Sequence, residues 1–233
     1  MEKSVTSAKF INPATVRIIP FATFIFFIML GSAAGEWLQS KGFDTRWLYG
    51  ARAVTVGFLL IFFWKHYVEL HNGSGVSIKN AAIAMATGML VFVLWINLDA
   101  PWATISQPAI TFDPTSSQSP GLDWTLIFFR LLGMAIVVPV MEELFWRSYL
   151  LRRVDAYDFL ARDPRKSGIF AILICSAVFA SEHNQWFAGL IAGLIYTAVY
   201  MHGRNLWLPI ISHATTNAAL GWWILATGQW QFW

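Results

Sequence analysis

The chain has 233 residues, of which 57% are hydrophobic and 12% charged, against about 25% charged in an ordinary soluble domain. Thirteen tryptophans and nineteen phenylalanines add to the bias, since aromatic rings suit lipid and its interfaces. A soluble globular domain could not bury so much apolar surface, which leaves one integral membrane domain over residues 1–233. The net charge of +3 comes from unevenly charged loops, so it bears on membrane topology and not on a nucleic-acid partner. The single cysteine, Cys175, excludes an internal disulfide and a cysteine metal cluster, and it reads as a buried packing residue.

In chain order, residues 1–17 are polar and carry Lys3, Lys9 and Arg17, after which Ile18 to Gly35 is uncharged. Ser32-Ala33-Ala34 resembles a signal-peptide cleavage site, but the run is of spanning length and reads as a retained first helix. Further runs follow at Trp47–Trp64, with Arg52 inside, and at Asn80–Leu98, without charge. Asp99–Asp123 is rich in Pro, Ser and Thr, with Pro101, Pro108, Pro114 and Pro120, and reads as a loop outside the lipid. The fourth run, Trp124 to about Leu151, contains Arg130; the fifth is Gly168–His183. The sixth, Trp186–Met201, spaces Gly189 and Gly193 for close helix contact. The seventh begins at Leu206 with Pro209 in its first turn, where proline is tolerated, and fades after Leu225. The expected architecture is all-α: a polytopic transmembrane helix bundle of about seven spans, with room for an eighth helical element within Arg152–Lys166. Arg52 and Arg130 read as residues snorkelling from within their spans.

Twelve of the sixteen basic residues fall on segments that are cytoplasmic if the N-terminus is cytoplasmic. The long loop after the third run holds none. This is the positive-inside pattern, and it places the C-terminus outside.

Chemistry concentrates late in the chain. Met141-Glu142-Glu143-Leu144-Phe145-Trp146-Arg147 follows an otherwise apolar run, and charges inside a membrane helix mark a functional site by default. Glu143 and Arg147 stand i and i+4 on one helical face, acid first, as an ion pair prefers. Glu142 points about 100° away, without a local partner. Phe179-Ala-Ser-Glu-His183 ends one apolar run and His213-Ala-Thr-Thr-Asn217 interrupts another; His213 and Asn217 again share a face. Polar groups on separate membrane helices are satisfied by meeting one another. Helical rise puts Glu142 about 15 Å, His213 about 10 Å and Asn217 about 16 Å from the inner edge, and His183 about 22 Å. Tilt would level the last, or Ser181–Gln185 is a break in the helix that lines a wet cavity.

These three motifs, Glu-Glu-x-x-x-Arg, Phe-x-x-x-His and His-x-x-x-Asn, in that order on successive apolar helices, resemble the CPBP family of CAAX prenyl endopeptidases and bacteriocin-processing intramembrane proteins. The resemblance covers roughly Trp124–Leu225, so residues 124–225 are expected to form the motif-bearing core. A stand-alone chain of this length is also similar to CPBP proteins associated with exosortase sorting systems. The resemblance implies an intramembrane glutamate endopeptidase in the bacterial inner membrane. Its substrate would be a membrane-tethered peptide or protein, cleaved near the cytoplasmic face. It further implies that Glu142 and His183 activate water, that His213 and Asn217 stabilise the oxyanion, and that Glu143, Arg147 and Phe179 support them without a cofactor. Two alternatives stay open. One is zinc held by Glu142, His183 and His213, although the short spacing of a zincin helix is absent and Asn217 is a poor zinc ligand. The other is a non-catalytic scaffold or immunity-type protein that retains the fold.

Overall fold

The computed structural model describes residues 11–71, 75–106, 112–115 and 121–233. Lys3, Lys9, Pro108 and Pro120 lie outside the described residues, as does much of the first polar segment. Among the described residues the chain is all-helical, with one isolated β-bridge, Thr115 to Leu122. Seven long helices match the seven expected runs: α1 (Pro13–Ser40), α2 (Trp47–Phe62), α3 (Ile78–Asn97), α4 (Trp124–Asp155), α5 (Ile169–Ser181), α6 (Trp186–Gly203) and α7 (Trp207–Thr227). Four of them, α1, α3, α4 and α6, are long and apolar enough to cross a membrane. Helix α7 is long enough too, but it carries Ser212, His213, Thr215, Thr216 and Asn217 through its middle. The expected eighth element within Arg152–Lys166 reduces to a single 3₁₀ turn, Pro164–Lys166.

Local chemistry sets the helix ends. The Asn12 side chain accepts from the Ala14 N–H at 2.9 Å and Pro13 occupies the first turn, so α1 starts five residues before the charge-free run. Ser77 caps α3 in the same way, and Asp123 caps α4 through the N–H groups of Thr125 and Leu126. Arg204 and Gly228, both left-handed, close α6 and α7.

Close approaches of backbone lock the bundle. A Cβ on Gly189 would stand 3.2 Å from the Ala180 Cα, and one on Gly193 would stand 3.2 Å from the Ser176 Cα. The glycine spacing thus seats α6 directly on α5. The tightest approach to another helix's backbone is elsewhere: a Cβ on Gly88 of α3 would collide with the Ser212 carbonyl and stand 2.8 Å from the Thr215 Cβ of α7. Gly88→Ala should therefore force α3 and α7 apart and destabilise the fold by about 1–3 kcal/mol. Thermal unfolding in detergent measures this, and an unchanged midpoint would show that the two helices separate without cost.

The two ends of the bundle differ. At one end, buried Arg17 of α1 donates to Glu69 in the one-turn helix Val68–His71 and to the Ser148 hydroxyl at 3.1 Å. Ser148 also bonds Glu69 and accepts from Arg152 at 2.8 Å. Burial pushes the Glu69 carboxyl up, but the bonds from Arg17 and Ser148 outweigh it and hold it below its usual range. Arg165 donates to the His202 carbonyl and Arg204 pairs with Asp163 nearby. The segments expected on the cytoplasmic side are thus gathered together, although Arg17 and Arg152 are sealed inside the bundle and do not face headgroups. At the other end, Arg46 reaches the carbonyls of Asp113 and Thr115, while Ser106 bonds Asn184 and Trp186 bonds the Trp102 carbonyl. The described parts of the Asp99–Asp123 loop thus touch the α1–α2 and α5–α6 connections.

Candidate active site

The site begins with an irregularity in α4. Its α-helical winding widens to π turns at Gly133–Val137 and again at Leu144–Leu150, leaving Val138–Glu143 between them. Such segments recur at functional sites. Pro139 gives the physical reason, because it has no N–H and crowds the preceding turn. The Val138 N–H bonds the Gly133 carbonyl, five residues back. Next in that pattern is the Met134 carbonyl, whose donor would be residue 139. The Asn217 side-chain amide takes the vacant place, donating to the Met134 carbonyl at 2.7 Å and tying α7 to α4.

Beside this break, the two glutamates part as the 100° turn requires. Glu143 is fully buried and serves two partners with one oxygen: Arg147 Nη1 at 3.0 Å and His213 Nδ1 at 3.0 Å. Arg147, also fully buried, donates to the Gly193 carbonyl and lies over the rings of Phe179, at 4.7 Å, and Tyr196, at 5.4 Å. His183 places its Nδ1 2.9 Å from the Phe179 carbonyl, and its ring packs against Phe179 and Trp95. Tyr196 stacks on His213 at 4.8 Å and donates to the Thr216 hydroxyl, which donates onward to the Gly88 carbonyl. Each imidazole is held from behind through Nδ1, and Nε2 is left for the space in front.

That space is a cavity of about 890 Å³, lined by Glu142, Phe179, His183, His213 and Asn217 together. Glu142 is 6% exposed, and its Oε2 has no hydrogen-bond partner among the described residues. Glu143 and Arg147 stand behind the wall. The helix α5 stops at Ser181, so Glu182, His183, Asn184 and Gln185 form the expected break and all line the cavity. The sequence reading missed Glu182, Tyr196, Thr216 and Trp95. Spacing marks Glu182 as a neighbour of His183, whereas the other three carry no local signal.

The cavity leads to one end of the bundle. Beyond the polar residues its lining continues through Glu36, Thr45, Arg46, Asp99, Thr104 and Trp233. Apart from Trp233, which follows α7, these lie near where α1 and α3 end and α2 begins. No residue of the Arg17–Glu69–Ser148–Arg152 cluster lines it. Its lining extends toward the end opposite the basic segments. Depths counted up from the inner edge conveyed how far in the residues lie, but not which way the space opens. Arg52 and Arg130 also differ from expectation: both turn into the cavity wall and do not snorkel.

Among the described residues, no three His, Cys, Asp or Glu groups come close enough to hold one metal ion. Glu142, His183 and His213 share the cavity without forming such a group.

The fold thus gathers paired carboxylates, an arginine and two histidines at the centre of a bundle of apolar helices. The family model described as Type II CAAX prenyl endopeptidase Rce1-like matches residues 124–219, the stretch holding all three motifs, and bears out the resemblance to the CPBP family. No curated protein and no solved structure matches the chain. The chain is an integral membrane protein whose α4–α7 segment carries the signature of a protease family.

Proposed function

We propose that the chain is an intramembrane endopeptidase that hydrolyses a peptide bond of a membrane-tethered substrate within the cavity. Peptide hydrolysis needs a base for the attacking water, donors for the oxyanion and a proton for the leaving amine. Glu142 takes the proton from a water that His183 helps to orient. His213, as an imidazolium balanced by the Glu143 carboxylate, and the amide hydrogen of Asn217 not given to Met134 donate to the oxyanion. Glu142 returns the proton to the amine. The observation that carries this reading is the shared orientation of the two imidazoles toward the cavity that Glu142 lines, each with Nδ1 committed behind. No metal enters this route. Proteolysis of co-reconstituted candidate substrates by wild type and Glu142→Gln tests it; equal processing by both would leave the scaffold reading in its place.

In this reading the N-terminus is cytoplasmic and the mouth faces the other side, so substrate arrives from outside the cytoplasm. Labelling with a membrane-impermeant maleimide checks the orientation, because the native Cys175 is 1% exposed. In intact cells a cysteine at Thr104 should label, and one at Lys166 should label only after permeabilisation. The reverse pattern would invert the topology and return the mouth to the cytoplasm.

A further inference from the structure

Two arginines in the cavity wall are not used by the chemistry above. Arg52 of α2 and Arg130 of α4 approach the same phenol, with guanidinium carbons 4.6 Å and 4.0 Å from the centre of the Tyr49 ring. Phe24 lies 4.1 Å from Arg52 and Phe112 lies 5.0 Å from Arg130. Both line the cavity that holds Glu142. The Nε of each is buried without a hydrogen-bond partner, and neither forms an ion pair among the described residues.

Stacking satisfies the faces of a guanidinium but not its N–H edge, which matches a carboxylate as a fork. Two like charges gathered around one ring repel each other, and neither is paired with a carboxylate among the described residues. Turning outward to headgroups would relieve both, yet both turn inward to the cavity. Arg130 and Glu142 stand twelve positions apart on one continuous helix, about 18 Å along its axis. A group held at Arg130 is therefore well removed from the reacting water and serves for positioning.

We propose that Arg52 and Arg130 form an anion seat, which holds a carboxylate of the peptide bound in the cavity. This rests on the proteolytic reading for the identity of the bound molecule, but not for the seat itself. The seat faces the cavity shared with Glu142 and not the bilayer, which favours a peptide carboxylate over a lipid phosphate.

The test uses the full chain carrying Glu142→Gln in detergent micelles, so that binding is measured without turnover. The probes are acetyl-leucyl-leucyl-valine with a free terminal carboxylate, its terminal amide, and the amide of the same peptide with glutamate as its middle residue. Calorimetry should give the free acid at least about tenfold tighter binding than the plain amide. The glutamate peptide tells a side-chain carboxylate from a terminal one. Arg52→Gln and Arg130→Gln should each erase most of the preference while leaving the weak binding of the amide. With Glu142 intact, Arg130→Gln should raise KM for an acid substrate and spare kcat. Equal binding of acid and amide by the chain with both arginines present would overturn the proposal, and this comparison needs no arginine variant to fold. So would a preference that survives in the double variant, or displacement of the acid by dihexanoyl phosphatidylglycerol but not by excess acetate. A chain that prefers the acid yet cleaves nothing keeps the seat and loses the protease reading.

Discussion

Glu142→Gln should leave the chain folded and abolish hydrolysis, whereas Asn217→Ala should keep turnover about 10²–10³-fold below wild type. A missing general base leaves water unactivated, while a missing oxyanion donor weakens only one of several contacts to the developing charge. The structure predicts different stabilities as well. The Oε2 of Glu142 has no partner among the described residues, so an amide there strands little and the melting temperature should hold. Asn217 closes the vacancy that Pro139 leaves at the Met134 carbonyl, so its loss strands a buried acceptor at a cost of about 1–3 kcal/mol. Rates and melting curves on the same preparations separate the two effects. Chelators should leave the wild-type rate intact. One zinc per chain, lost together with activity on chelation and restored with it, would replace the metal-free route by a metal one.

Glu143→Gln and Arg147→Ala should each cost about 3–5 kcal/mol, because breaking a buried ion pair strands the remaining charge. Both side chains are fully buried. Without Arg147, the Glu143 carboxylate faces only His213. Without the Glu143 charge, Arg147 keeps a carbonyl and two aromatic faces. The yield of folded protein in detergent should fall in both variants. Combining Glu143→Gln with Arg147→Met should recover part of that yield, because no lone charge then stays buried, but it should not restore activity while His213 lacks its anchor. Full yield from either single variant with complete loss of turnover would move that residue from support into the chemistry.

Much of this was legible along the chain. Long apolar runs located all seven helices, and i,i+4 spacing paired Glu143 with Arg147 and set Glu142 aside. The break after Ser181 was readable from its five polar residues. Other features are tertiary. Nothing near Glu143 in sequence shows that its carboxylate also anchors His213, seventy residues later. Pro139 signalled trouble for the helix, but which donor would repair it depended on where α7 crosses. Arg52 and Arg130 looked like independent snorkelling residues because their common neighbour, Tyr49, joins them only when α2 packs on α4. Nor could the sequence show that Arg17 and Glu69 meet Ser148 from 131 and 79 residues away.

The direction in which the cavity opens governs traffic as much as shape. The Arg17–Glu69–Ser148–Arg152 cluster contributes nothing to the cavity lining, so on the proteolytic reading the space around Glu142 would open away from the basic end. On the proteolytic reading, fragments released by hydrolysis would leave by the way the substrate came in. The departing piece must clear the mouth before the next molecule can descend, and enzymes with such a bottleneck are commonly limited by product release and not by bond cleavage. Steady-state turnover would then follow a burst in the first cycle, and added product would slow the enzyme by occupying its doorway.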